Sequence, residues 1–190
     1  MSSSRMMFGS VGMYGALAFL FSTISLILPD THIVGNPLVV SGVTPEHIVG
    51  HIMWGLVAGI ATFSIRYAML SGVLPIILDF DHWLQFLDIE MIPRMAHSIP
   101  FGIIAFVILF VLFGKKDLRI PAVALGAVFS HISFDVFLGG TSKFPLLVPF
   151  TTNTFTLGGV EWVYLEALSI GIIFVLSAIQ LRKQKINVFQ

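Results

Sequence analysis

The chain has 190 residues, 56% of them hydrophobic and only 11% charged, and its ten basic and ten acidic residues cancel. A soluble domain carries about 25% charged residues, so this composition excludes an ordinary water-soluble fold and reads as an integral membrane protein. Zero net charge gives no electrostatic case for a nucleic-acid partner, and a chain without cysteine has no disulfide, thiolate metal site or cysteine nucleophile.

A helix needs about 20 mostly apolar residues to cross a bilayer core. The first such run is Met7 to Leu28, closed by Pro29-Asp30; no small-x-small cleavage site follows, so it reads as a retained helix rather than a signal peptide. The second runs from about His47 to Ser64, with Arg66 at its end. Residues 67–78, YAMLSGVLPIIL, form a shorter apolar stretch containing Gly72 and Pro75. At 1.5 Å per residue it covers only about 18 Å and reads as a short or re-entrant helix. Further spans are expected at about His97–Phe113, Ile120–Phe137 and Val160–Leu181, with polar or Pro/Gly-punctuated loops at 30–46, 79–96 and 138–159. The expected fold class is all-α: a polytopic helical bundle of five full spans plus the short segment, forming one transmembrane domain over residues 1–190.

Cytoplasmic loops collect Lys and Arg. With the N-terminus inside and 67–78 returning the chain outward, Arg5, Arg66, Lys115, Lys116, Arg119, Arg182, Lys183 and Lys185 fall inside and only Arg94 and Lys143 outside. Both termini are then cytoplasmic, in a multi-pass protein of the cell membrane whose first partner is the lipid bilayer. The same topology puts Asp30, Glu46, Asp79, Asp81, Asp88, Glu90, Asp135 and Glu161 at or near the outer side, and only Asp117 clearly inside. So many carboxylates at a low-dielectric boundary repel one another unless cations neutralise them, and divalent metal ions are the economical neutraliser.

Five of the six histidines converge on that outer side. His47 and His51 are four apart and share a helix face. Asp79, Asp81 and His82 close the short segment, His97 opens the next helix, and His131 with Asp135 form a second i, i+4 pair. His131 and Asp135 carry the most weight, because ionisable residues inside an apolar helix are costly and functional by default. A lone His at a helix end is more often interfacial, and Asp-x-Asp alone is a common cap. His32 reads as a solvated loop residue. Imidazole and carboxylate without thiolate suit a divalent metal, zinc foremost with manganese and iron as alternatives.

These residues resemble the YdjM-like membrane-bound metal-dependent hydrolases. That family's pattern has an early helical His, an LPDxDH element, an HRGxTHS element and a long GxxSHxxxDxxTPxGVPLLWPF element. Here the last reads GAVFSHISFDVFLGGTSKFPLLVPF from Gly126 to Phe150, the second LPIILDFDHW, the third PRMAHS, and HIMWG puts His51 in the first position, so that the resemblance prefers His51 to His47 as a ligand. The likeness covers about residues 47–150, leaving the helices at 7–28 and 160–181 as additions. Three positions depart from it: Leu78 replaces the Pro before Asp79, and Pro93 and Ala96 replace the first His and the Thr of HRGxTHS.

The resemblance implies a metal-dependent hydrolase with one or two ions held by His51, Asp79, Asp81, His82, His97, His131 and Asp135. Such ions lower the pKa of a bound water for attack on a phosphoester or similar bond, including one in a lipid. Asp81 is an alternative general base, Arg94 a candidate for holding an anionic group, and Glu166 a further candidate from outside the family block, about five residues into the last helix. A competing reading makes the chain a non-catalytic subunit of a larger membrane complex with a structural metal site. Transport is the weakest reading, because the inner side offers almost only bases.

Overall fold

A computed structural model describes residues 3–40 and 44–188. The chain is mostly helical, with α1 Ser3–Thr23, α2 Pro37–Val40, α3 Pro45–Gly59, α4 Ile65–Leu78, α5 Ile99–Leu109, α6 Arg119–Gly139 and α7 Glu161–Val188. Tighter turns extend several of them: 3-10 segments at Ile24–Ile27, Ile60–Thr62 and Asp79–Leu87, and a π segment at Phe110–Gly114.

Among the described residues, three stretches are long and apolar enough to cross a membrane: Arg5–Ile27, Arg119–Gly139 and Glu161–Lys185. They coincide with the first, fourth and fifth expected spans. The expected second and third crossings are shorter as regular helices, α3 and α5, and gain length only through their 3-10 and π extensions. The short segment is an α-helix that begins at Ile65, ahead of Arg66.

The expectation of a purely helical fold needs one correction. Among the described residues, two small antiparallel pairs form in the loops, β1 (His32–Ile33) with β2 (Glu90–Met91) and β3 (Thr141–Phe144) with β4 (Phe155–Gly158). Backbone N–H and C=O groups in these loops need partners, and chain segments brought together by the bundle supply them. His32 is exposed, as expected, and lies on β1.

α6 is the central helix, with almost every residue from Arg119 to Val136 buried and α3, α4, α5 and α7 packed around it. α1 and α7 lie outside and present large apolar side chains such as Phe8, Leu20, Phe174 and Val175 outward. Glycines bring α3 and α4 close together. A Cβ on Gly55 would stand 2.1 Å from the Ser71 carbonyl oxygen, and one on Gly59 2.7 Å from Ala68 Cα. Small residues four apart on one helix let two backbones touch in a membrane. Phe63, in the left-handed conformation at φ 55°, then turns the chain from the end of α3 into α4.

At the Arg119 end of α6, far from the His131 end, a polar cluster pins the α5–α6 turn. Arg119 donates to both Asp117 oxygens at 2.9 and 2.6 Å, and the Tyr67 hydroxyl donates to Asp117 Oδ2 at 2.7 Å. The Arg119 guanidinium also lies 4.3 Å from the centre of the Tyr67 ring. Burial pushes the Asp117 carboxyl up, but the bonds from Arg119 and Tyr67 outweigh it and hold it below the usual carboxylate range. Gln180 of α7 accepts from Leu118 N and donates to the Lys116 carbonyl, tying the turn to the last helix.

Candidate metal centre

Four chain segments deliver the site. Thr44 caps α3, its hydroxyl accepting from His47 N, and Pro45 and Glu46 follow in the first turn. This start puts His47 and His51 one turn apart on the face toward α6. Ser98 caps α5 in the same way, accepting from Phe101 N, and sets His97 just ahead of the helix. α6 carries His131 and Asp135 one turn apart.

The fourth segment is the change from α to 3-10 winding at Asp79. There the Asp79 N–H bonds to the Ile76 and Ile77 carbonyls instead of reaching back to Pro75. The Pro75 carbonyl instead meets His131 Nδ1 at 2.8 Å. A carbonyl only accepts, so Nδ1 carries the hydrogen and Nε2 presents its lone pair to the site. Three residues per turn then align Asp79, His82 and Gln85 in one row and Phe80, Trp83 and Phe86 in another. The first row faces inward, with His82 and Gln85 buried; the second is exposed and its rings touch in sequence.

Asp79 and Asp135 are the hubs of what results. Asp79 Oδ1 lies 3.5 Å from His82 Nε2, 3.6 Å from His97 Nε2 and 3.4 Å from His131 Nε2. Asp135 Oδ1 lies 3.5 Å from His47 Nε2 and 3.3 Å from His51 Nε2, and its Oδ2 lies 3.6 Å from His131 Nε2. His51 Nε2 also comes within 3.9 Å of Asp79 Oδ2, linking the two halves. The side chains sort into overlapping sets, His47/His51/Asp135, His51/Asp79/His131, Asp79/His82/His97 and His97/His131/Asp135, each with ligand atoms close enough to hold one ion.

Electrostatics and unmet hydrogen bonding both fit a cation. Burial alone pushes the Asp79 carboxyl up, but the surrounding imidazoles, His131 first, outweigh it and hold it well below the usual carboxylate range. Fully buried polar atoms normally have partners. His131 Nε2 and Asp135 Oδ1 are fully buried and make no hydrogen bond among the described residues, although each faces the other ligand atoms. A divalent ion would satisfy both at once, and the nitrogen-oxygen donor set suits one.

The surround is apolar and aromatic. Phe134 packs edge-on against the His47 and His51 rings, and Gly50 makes room for it: a Cβ there would meet the ring at 1.8 Å. The His51 and His131 rings stack at 3.8 Å, and Phe144 stacks on His97. Arg94 sits with its guanidinium 5.3 Å from the Phe144 ring centre. Its backbone is left-handed at φ 59°, in the turn whose carbonyl accepts from His97 N.

Of the residues read as ligands, His51, Asp79, His82, His97, His131 and Asp135 come together. Asp81 lies in the 3-10 segment and its side chain is outside the described residues. Glu166 is elsewhere: it is buried beside Ser130 and Ser133 at the α6–α7 contact and belongs to none of the ligand sets. Ser133 itself donates to the Trp162 carbonyl and accepts from the Trp54 indole. His47, set aside in favour of His51, is the added member; its ring nitrogen is 2.8 Å from that of His51. The i, i+4 spacing that it shares with His51 is its signal in the sequence.

No family model, curated protein or solved structure matches the chain.

Proposed function

We propose that this protein is a multi-pass membrane hydrolase of the YdjM-like kind, dependent on one or two divalent ions, with zinc the foremost choice. The observation that carries the reading is the convergence of five imidazoles and two carboxylates around buried ligand atoms left without hydrogen bonds. Seven side chains exceed the four ligands of a single zinc, which favours two neighbouring ions. When bound, such ions supply Lewis acidity and activate water for attack on a phosphoester or a similar bond.

The chain's own residues would divide the work. Asp79 and Asp135 would supply the negative charge that holds the ions, and His131, oriented by Pro75, and His51, stacked on it, would each offer a ring nitrogen that lies near both carboxylates. Arg94 is placed to hold an anionic substrate group, resting on Phe144. In hydrolysis the water oxygen bonds to phosphorus, the bond from phosphorus to the departing alcohol oxygen breaks, and the water's proton ends on that alcohol. Solvent access favours a working site over a sealed clasp: the Asp79 side chain is 14% exposed and that of His82 9%, while His51, His97 and His131 are fully covered.

For the bundle we propose that residues 45–62 and 99–114 also cross, each using its 3-10 or π extension, and that the shorter α4 returns the chain to the outer side between them, so that five full spans and this sixth passage leave both termini inside.

The alternative, an accessory subunit with a structural metal, draws on Pro93 standing where the resembled pattern has His. Hydrolysis of aryl phosphomonoesters and phosphodiesters by purified protein, with and without added zinc or manganese, separates the two. Metal-dependent turnover that disappears in His131→Ala supports the hydrolase. Metal bound with no turnover on either substrate supports the subunit.

A further inference from the structure

We infer that the substrate of this site is a membrane amphiphile, a phosphoester headgroup on a long apolar tail, taken up sideways from the bilayer. The inference rests on the hydrolase reading and adds where the tail lies.

The site opens through a pocket of about 190 Å³ in which Asp79 and His82 are the polar lining; Leu38, Ile48, Trp83 and Phe86 are among its apolar walls. A water-soluble phosphoester has little to gain from such walls, whereas an amphiphile matches one polar edge and an apolar remainder. Phe80 and Trp83 are shared with a second groove of about 520 Å³ between α1 and α4, floored by Gly12, Gly15 and Ala16 of α1 and Ile77 of α4. The two cavities therefore meet at the outward aromatic row of the 3-10 segment, whose inward row carries Asp79 and His82. That segment separates headgroup from tail. A phosphate at Asp79 and His82 leads, past Phe80 and Trp83, straight into an apolar trough.

The surroundings match an interfacial position. Trp83 and Leu87 are 63% exposed and Val39 79%, in the manner of side chains resting at a headgroup boundary. The trough exists because α1 carries small residues there, and a Cβ on Gly12 would meet nothing within 4 Å. A large side chain at Gly12 therefore fills the trough without displacing protein atoms.

The test is photolabelling of the metal-loaded protein in nanodiscs by phosphatidic acid carrying a diazirine in one acyl chain, with labelled peptides mapped. The comparison probe is diacylglycerol with the same chain. Labelling concentrated on residues 11–19 and 77–83, dependent on the phosphate, and lost in Gly12→Phe and in the separate variant Ala16→Phe with metal content unchanged, is the expected result. Labelling spread evenly around the outward faces, equal for both probes, or unaffected by both variants overturns the tail site, leaving hydrolysis to be judged on its own substrates. Phosphate-dependent labelling of the trough in a wild type that holds no metal keeps the tail site and overturns the hydrolase reading.

Discussion

His131 gives its Nδ1 hydrogen to the Pro75 carbonyl at 2.8 Å, and its Nε2 then stands 3.4 Å from Asp79 Oδ1, four residues beyond that proline. One short stretch of chain thus supplies both the tether that orients a ring and a carboxylate that the ring faces. The tether is available because the helix changes winding at Asp79, so that its N–H turns to Ile76 and Ile77.

The Gln85 side-chain amide lies 2.7 Å from His82 Nδ1, and with its oxygen turned to accept the Nδ1 hydrogen it would orient that ring as Pro75 orients His131. Outer-shell partners of metal-binding histidines typically contribute about 10–100-fold in affinity. Gln85→Ala should weaken metal binding by that order while leaving the helical content unchanged, as checked by metal titration and circular dichroism. Wild-type affinity in this variant would remove Gln85 from the site's design.

The α3–α4 contact should be intolerant of a single methyl group. Gly55→Ala places a Cβ 2.1 Å from a backbone oxygen that no side-chain rotation can move. Overpacking of this kind costs about 1–3 kcal/mol, and it separates His51 from Asp79 at the same time. Thermal unfolding in detergent should fall and metal affinity with it, whereas Gly12→Ala, with open space around it, should be neutral in both.

Much of the site was legible because its spacing is helical. His131 and Asp135 stand out as an i, i+4 ionisable pair inside an apolar run, and His47 and His51 as another, but spacing alone could not say that Asp135 reaches both members of the second pair. The inward row of Asp79, His82 and Gln85 depends on 3-10 rather than α winding, which periodicity over nine residues does not reveal. Asp117 read as a lone inner carboxylate; its pairing with Arg119 and with Tyr67, fifty residues away in the chain, is a tertiary fact. The loop strands were missed for the same reason, since His32 pairs with Met91 and neither neighbourhood alternates in the manner of a strand.

That Asp117 cluster sets an acid limit on stability. Its folded pKa lies below the unfolded value of about 4, so its contribution is complete above that value and is lost as the pH falls through the folded pKa. Asp117→Asn should flatten the decline of unfolding temperature with acid below about pH 4. It should also cost about 3 kcal/mol at neutral pH, because Arg119 stays buried without its counter-charge. Metal content at neutral pH should not change, the cluster being at the other end of α6.

Arg94 should act on substrate rather than on metal. Arg94→Gln keeps the left-handed turn's length and removes the charge; the expected outcome is a KM raised about tenfold for an anionic substrate, equivalent to about 1.4 kcal/mol, with metal content unchanged. A fall in metal content instead would assign Arg94 a structural part in holding His97.

Metal content of the purified protein is the most direct measurement. Wild type, His131→Ala and Asp79→Ala, prepared without chelators, would be compared by elemental analysis and by refolding-independent helical content. About one or two equivalents of a divalent metal in the wild type, lost in both variants with the helices intact, is the expected result. A wild type without metal, or variants that retain the full amount, would contradict the metal centre itself.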